Sequence, residues 1–115
     1  MTREIIYYEK VDGSCPVQEY LDSLKADIIK KIFFVFDLIE ELDMVPAKFL
    51  TKLQNTDDIW EVRIEYNSNI YRFFGFMEKG SLVILTNGYQ KKTQKTDKKQ
   101  IELAEKCKRD YVERK

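Results

Sequence analysis

Histidine is missing altogether from this chain of 115 residues. That absence excludes Ser-His-Asp triads, imidazole-based proton transfer and zinc sites of mixed His/Cys type. Cysteine is nearly as scarce. Cys15 and Cys107 stand far apart, with no CxxC or other metal-ligand spacing, so the reading is two free thiols in a reducing cytoplasm and no metal centre. Long hydrophobic runs are lacking too. The longest, Ile32 to Phe36, spans five residues, far below the roughly eighteen of a membrane-crossing helix. The start, MTREIIYYEK, places acids within its apolar segment and has no small-residue cleavage site, so no secretory signal is expected. Net charge is also absent, with 20 basic and 20 acidic residues. What remains is a highly charged chain of one-domain length, residues 1–115, whose chemistry must run on Lys, Arg, Tyr, Asp or Glu.

The neutral total conceals a polarity. Residues 1–62 hold 7 Lys/Arg against 13 Asp/Glu, a net of −6, and residues 63–115 hold the complementary +6. Much of the positive charge lies in NGYQKKTQKTDKKQ, Asn87 to Gln100, with five lysines and one acid, directly behind the apolar run SLVILT. A run of like charge is ordinarily a solvated face. Behind a strand, however, its first residues are held by the sheet, and beside other cations it would make a basin for anions.

Periodicity orders the chain as β-α-α-β-β-β-α. EIIYYEK is β-branched and aromatic, a short strand. DGSCP turns, with Ser14 or Cys15 as helix cap and Pro16 at the first helical position. A helix then runs to about Lys25 through Val17, Tyr20, Leu21 and Leu24. A longer one spans about Asp27 to Asp43 on the stripe Ile28, Ile32, Val35, Ile39 and Leu42, with Asp27 as its cap. The connection up to Asp58 is irregular, with one helical turn expected near Phe49 to Leu53. From Ile59 the period changes to two. Trp60, Val62, Ile64 and Tyr66 share one face of a strand, and Glu61, Arg63 and Glu65 the other. NSN and KGS punctuate two further strands, an antiparallel meander, and a closing helix follows with Thr96 or Asp97 as cap. The expected fold is α+β: a small sheet, the two early helices on one face, the first strand joined to the meander, and the Arg63 face more open to water.

A two-residue turn at Ser68-Asn69 would set Glu65 opposite Arg72 with Arg63 on the same face, whereas a three-residue turn without a bulge would put the arginines on opposite faces. Two readings of that face stay open: ordinary cross-strand ion pairs with Glu61 and Glu65, or an anion clamp extended by the lysines. Tyr7, Tyr66, Tyr71 and Tyr89 offer aromatic faces on which unstacked bases could lie.

The segments IWEVRI, YRFFGF, LVILTNGYQKKTQKT and IELAEKCKRDY, in that order, resemble RelE/ParE-superfamily toxins, in particular the phage-derived HigB-like branch. The resemblance covers residues 4–111 through E-x-R, Y-R-x-F and G-x-x-K-K-T. It implies a RelE-like fold and the toxin of a type II toxin–antitoxin system, a ribosome-dependent mRNA endonuclease. Cleavage would need neither metal nor cofactor, because the RNA 2′-hydroxyl attacks its own phosphate. Carried over by position, Arg63 and Arg72 are the transition-state clamps and Lys91 or Lys92 moves a proton or holds phosphate. Tyr89, Gln90, Thr93, Lys95 and Tyr66 bind RNA. A histidine that such toxins carry near Asn87 is absent, so the acid must be of another kind. The implied partners are the ribosome, mRNA and a HigA-like helix-turn-helix antitoxin, in a hetero-oligomer that reaches DNA through the antitoxin. A ParE-like inhibitor of DNA gyrase, or an inactive relative that only binds its antitoxin, is the alternative.

Overall fold

The structure is a computed structural model that describes residues 2–91 and 97–115, with Lys91 described by its backbone only. Its elements are β1 (Glu4–Tyr7), α1 (Pro16–Asp22), α2 (Ala26–Glu41), β2 (Leu50–Lys52), β3 (Trp60–Tyr66), β4 (Asn69–Glu78), β5 (Leu82–Lys91) and α3 (Lys98–Glu113). The five strands form one mixed sheet in the order β1-β5-β4-β3-β2. The first strand joins the meander as expected, parallel to β5, with Ile5 opposite Val83 and Tyr7 opposite Leu85.

The amphipathic pattern decides what covers each face. Val17 and Leu21 of α1 and Ile32, Val35, Phe36 and Ile39 of α2 pack on Val62, Ile64, Tyr71, Phe73, Val83 and Leu85. Each is nearly or wholly removed from water, and burying such a side chain contributes about 1.5–3 kcal/mol. The second face is less open than its polar pattern suggests. Ala104 of α3 packs with Ile59 and Phe74, and Cys107 with Tyr8, Phe76 and Ile84. The polar alternation of β3 had masked this cover, because Glu61 on that face is charged yet buried.

Two local expectations shift. The connection before β3 holds no helical turn at Phe49 to Leu53. Leu50–Lys52 instead pairs antiparallel with β3, Leu50 opposite Val62, a strand too short to show a period. Of the early caps, that of α1 falls on Cys15, one of the two residues expected, and that of α2 differs. Cys15 occupies the α1 cap position without a side-chain hydrogen bond, and the Ser14 hydroxyl is drawn to Asp12 Oδ1 at 2.7 Å. Asp27 lies inside the first turn of α2, where Lys25 is the cap, and its carboxylate accepts from the Tyr66 hydroxyl at 3.1 Å. Asp97 caps α3 by accepting from the Lys99 N–H at 3.0 Å.

Between β4 and β5 the register slips by one residue. Phe74 faces Asn87 but Gly75 faces Leu85, so Thr86 is the extra residue of a bulge. The slip turns Leu85 toward the helices α1 and α2 and Asn87 toward α3. A side chain at Gly75 would run into the Ile84 carbonyl. Gly75→Ala should therefore cost about 2–3 kcal/mol, the upper range of overpacking, read as a lower midpoint in chemical denaturation. A variant of wild-type stability would show that the strands part there at little cost.

Several tyrosines are protonated more tightly in the fold than in a free chain. Tyr8 is pushed up to about 12, first by burial and then by donating to Asp110 at 2.5 Å. Tyr20 and Tyr7 are raised mainly by burial. The unfolded chain gives up these protons near pH 10, so stability is full below about pH 10 and is lost as pH rises from there through about 12. Thermal melts across that range, followed beside tyrosinate absorbance, should show the midpoint falling as tyrosinate appears. A midpoint that holds until after ionisation is complete would contradict the linkage.

Candidate nucleic-acid interface

The β3–β4 hairpin is closed by Asn67 and Ser68, with φ of 50° and 65°, the geometry of a two-residue turn that requires positive φ at both positions. The turn sits one residue earlier than Ser68-Asn69. Moving a two-residue turn by one position changes the pairing by two, so faces are preserved while partners change. Arg63, not Glu65, stands directly opposite Arg72. On the next strand Arg72 faces Tyr89. One row across three strands thus reads Arg63, Arg72, Tyr89, on the face that α3 partly covers.

Like charges directly opposite each other destabilise a sheet. Here each arginine has a carboxylate. Arg63 Nη2 lies 3.0 Å from Glu65 Oε1 in a pair open to solvent. Arg72 Nη1 lies 2.7 Å from Glu61 Oε2, with both side chains only 6% exposed. The buried pair is in ionic contact, yet Glu61 Oε2 makes no aligned hydrogen bond. Among the described residues, the enclosed Nε–H groups of Arg63 and Arg72 find no aligned acceptor, and the buried Tyr89 hydroxyl has only the Arg72 guanidinium beside it. Unfilled buried donors of this kind are rare in folded proteins, since each carries a desolvation cost of about 1–3 kcal/mol. Burial raises the Tyr89 hydroxyl above its ordinary range, and Arg72 beside it opposes that rise. The Tyr89 ring is fixed edge-on to Phe74, with centroids 5.5 Å apart. Asn87 ties this part of β5 to α3 by donating to the Gln100 carbonyl and side chain at 3.2 and 2.9 Å.

The remaining sequence candidates divide. Tyr66 and Gln90 lie on the opposite sheet face, toward α1 and α2. Tyr66 donates to Asp27, and Gln90 Nε2 donates to Asn69 Oδ1 at 3.0 Å. Tyr71 is buried in the core, and Tyr7 rests edge-on against Phe36. Of the four tyrosines read as base platforms, Tyr89 alone shares the arginine row. Lys91 ends β5 with its backbone opposite Ile70, while Lys92, Thr93 and Lys95 lie outside the described residues. Glu61 is the residue that sequence reasoning missed as part of the site. Its signal was the spacing Glu61-x-Arg63 on one strand face, but nothing in that pattern disclosed its burial.

A model of the phage-derived Gp49-like family (DUF891) matches residues 19–109. The chain belongs to the Gp49-like family. The match runs from α1 into α3 and encloses Glu61, Arg63, Arg72 and Tyr89. Gp49-like proteins fall within the RelE/ParE-like toxin superfamily and are associated with toxin–antitoxin systems, which implies an antitoxin partner for this member. The α+β architecture is compatible with a RelE-like fold. No curated protein matches the sequence. Among the described residues, no helix is long and apolar enough to cross a membrane.

Proposed function

We propose that this Gp49-like protein is a HigB-like toxin that cuts messenger RNA on the translating ribosome and is silenced by a HigA-like helix-turn-helix antitoxin in the cytoplasm. The observation that carries this reading is the row Arg63, Arg72, Tyr89 on one sheet face, with the enclosed Nε–H groups of both guanidiniums unfilled among the described residues. A phosphodiester offers acceptor oxygens, and arginine matches its geometry.

Cleavage by such a site proceeds when the 2′-oxygen attacks the adjacent phosphorus and the 5′-oxygen of the next nucleotide departs. The products are a 2′,3′-cyclic phosphate and a 5′-hydroxyl. Negative charge grows on the non-bridging oxygens, where Arg63 and Arg72 stabilise it. Lys91 or Lys92 removes or returns a proton; lysine ordinarily holds its proton to about pH 10.4, and neighbouring cations lower that value. Tyr89 on β5, and Thr93 and Lys95 further along the sequence, contact the RNA.

Expressing the protein without its antitoxin tests the reading. Growth should stop, and mapped RNA ends should fall within translated codons. Arrested growth with intact message and blocked DNA supercoiling would transfer the protein to gyrase inhibition, and harmless overproduction would make it an inactive antitoxin-binding relative.

A further inference from the structure

We propose that Glu61 is a positioning residue that holds the Arg72 guanidinium in its working orientation. The proposal rests on reading the arginine row as the cleavage site, and its spectroscopic arm stands apart from that reading. Glu61 lies opposite Phe74 on β4, so it reaches Arg72 diagonally on the shared face. The Glu61 carboxylate lies 2.7 Å from Arg72 Nη1, so its influence passes through the side chain it touches. A guanidinium presents five N–H groups in a rigid fork. Glu61 takes the Nη1 end, and the Nε edge is left unfilled. Arg63 stands directly opposite Arg72, and its repulsion would drive an untethered guanidinium away from the row. Glu61 opposes that displacement from beneath.

The two effects of removing its charge have opposite signs, which makes the proposal testable. Glu61→Gln makes the face more positive, which favours RNA binding, while releasing the guanidinium from its seat. Misplacement by about 1 Å can cost about 100-fold in rate. On translating ribosomes, Glu61→Gln should therefore lower kcat by about 10- to 100-fold with KM unchanged or lower, and Glu61→Asp should fall between it and wild type. A merely structural role would reduce the folded fraction while leaving kcat per folded molecule intact. The second readout is the exchange rate of the Arg72 Nε–H by nitrogen-edited NMR of the free protein. It should be slow in wild type and fast in Glu61→Gln. If Glu61→Gln does not fold, Glu61→Asp is judged by the same two criteria. A folded variant with kcat within about 2-fold of wild type, or with unchanged Arg72 Nε–H exchange, overturns the proposal. If the wild type cuts no message, the nuclease reading fails, while the exchange rate still decides whether Glu61 seats Arg72.

Discussion

Arg63→Ala should lower mRNA cleavage by about 100- to 1,000-fold, the loss expected when one preorganised donor to a developing oxyanion is removed. The same substitution should barely change stability. Arg63 is about one-third exposed and its partner Glu65 two-thirds exposed, and ion pairs of that kind contribute about 0–1 kcal/mol. Removing Arg63 also relieves repulsion against Arg72. The variant should melt close to wild type and retain its antitoxin, so a lost activity would be a lost interaction with substrate. Single-turnover rates on ribosomes, taken beside a thermal melt, make the comparison. A variant that cleaves at the wild-type rate would remove Arg63 from the mechanism.

Arg72 should behave differently, although it is the same residue type one strand away. Arg72→Ala leaves the Glu61 carboxylate enclosed and unpaired, and breaking a buried pair from one side costs about 3–5 kcal/mol. That is a large share of the roughly 5–15 kcal/mol by which a domain is stable, so much of the single variant should be unfolded at 37 °C. Replacing both partners, as in Glu61→Leu with Arg72→Met, removes the charge along with its partner and should restore most of the lost stability. The double variant should then be folded and inactive, which separates the role of the pair in the fold from the role of Arg72 in chemistry. Denaturation midpoints of the single and double variants provide the test. A single variant as stable as wild type would mean that water reaches Glu61 freely.

The contrast between the two arginines shows what the sequence could and could not disclose. Alternation from Ile59 onward was enough to place Arg63 on a polar strand face, but the Asn-Ser-Asn turn brings Arg72 onto that face only when it is two residues long, as the backbone shows. The partner of Arg72 was misjudged because both turn positions tolerate positive φ, and only the backbone shows that Asn67 and Ser68 adopt it. The same alternation already set Tyr66 on the face opposite Arg63, and the pairing of Gln90 with Tyr71 sends Gln90 to that face as well. The burial of Glu61 was invisible for a different reason. Its neighbour across the strands, Phe74, is covered by Ala104 of α3, a helix far along the chain. The three-residue strand Leu50–Lys52 left no period to read. Local pattern therefore described the row of cations, and tertiary cover decided which of them is solvated and which is held.

The most direct test of the account is to add the purified protein to ribosomes translating a defined message and to map the RNA ends. Cuts within translated codons, ending in a 2′,3′-cyclic phosphate and a 5′-hydroxyl and largely lost with Arg63→Ala, are the predicted result. Intact message under conditions where the same preparation blocks translation, or cuts that persist unchanged in Arg63→Ala, would contradict it.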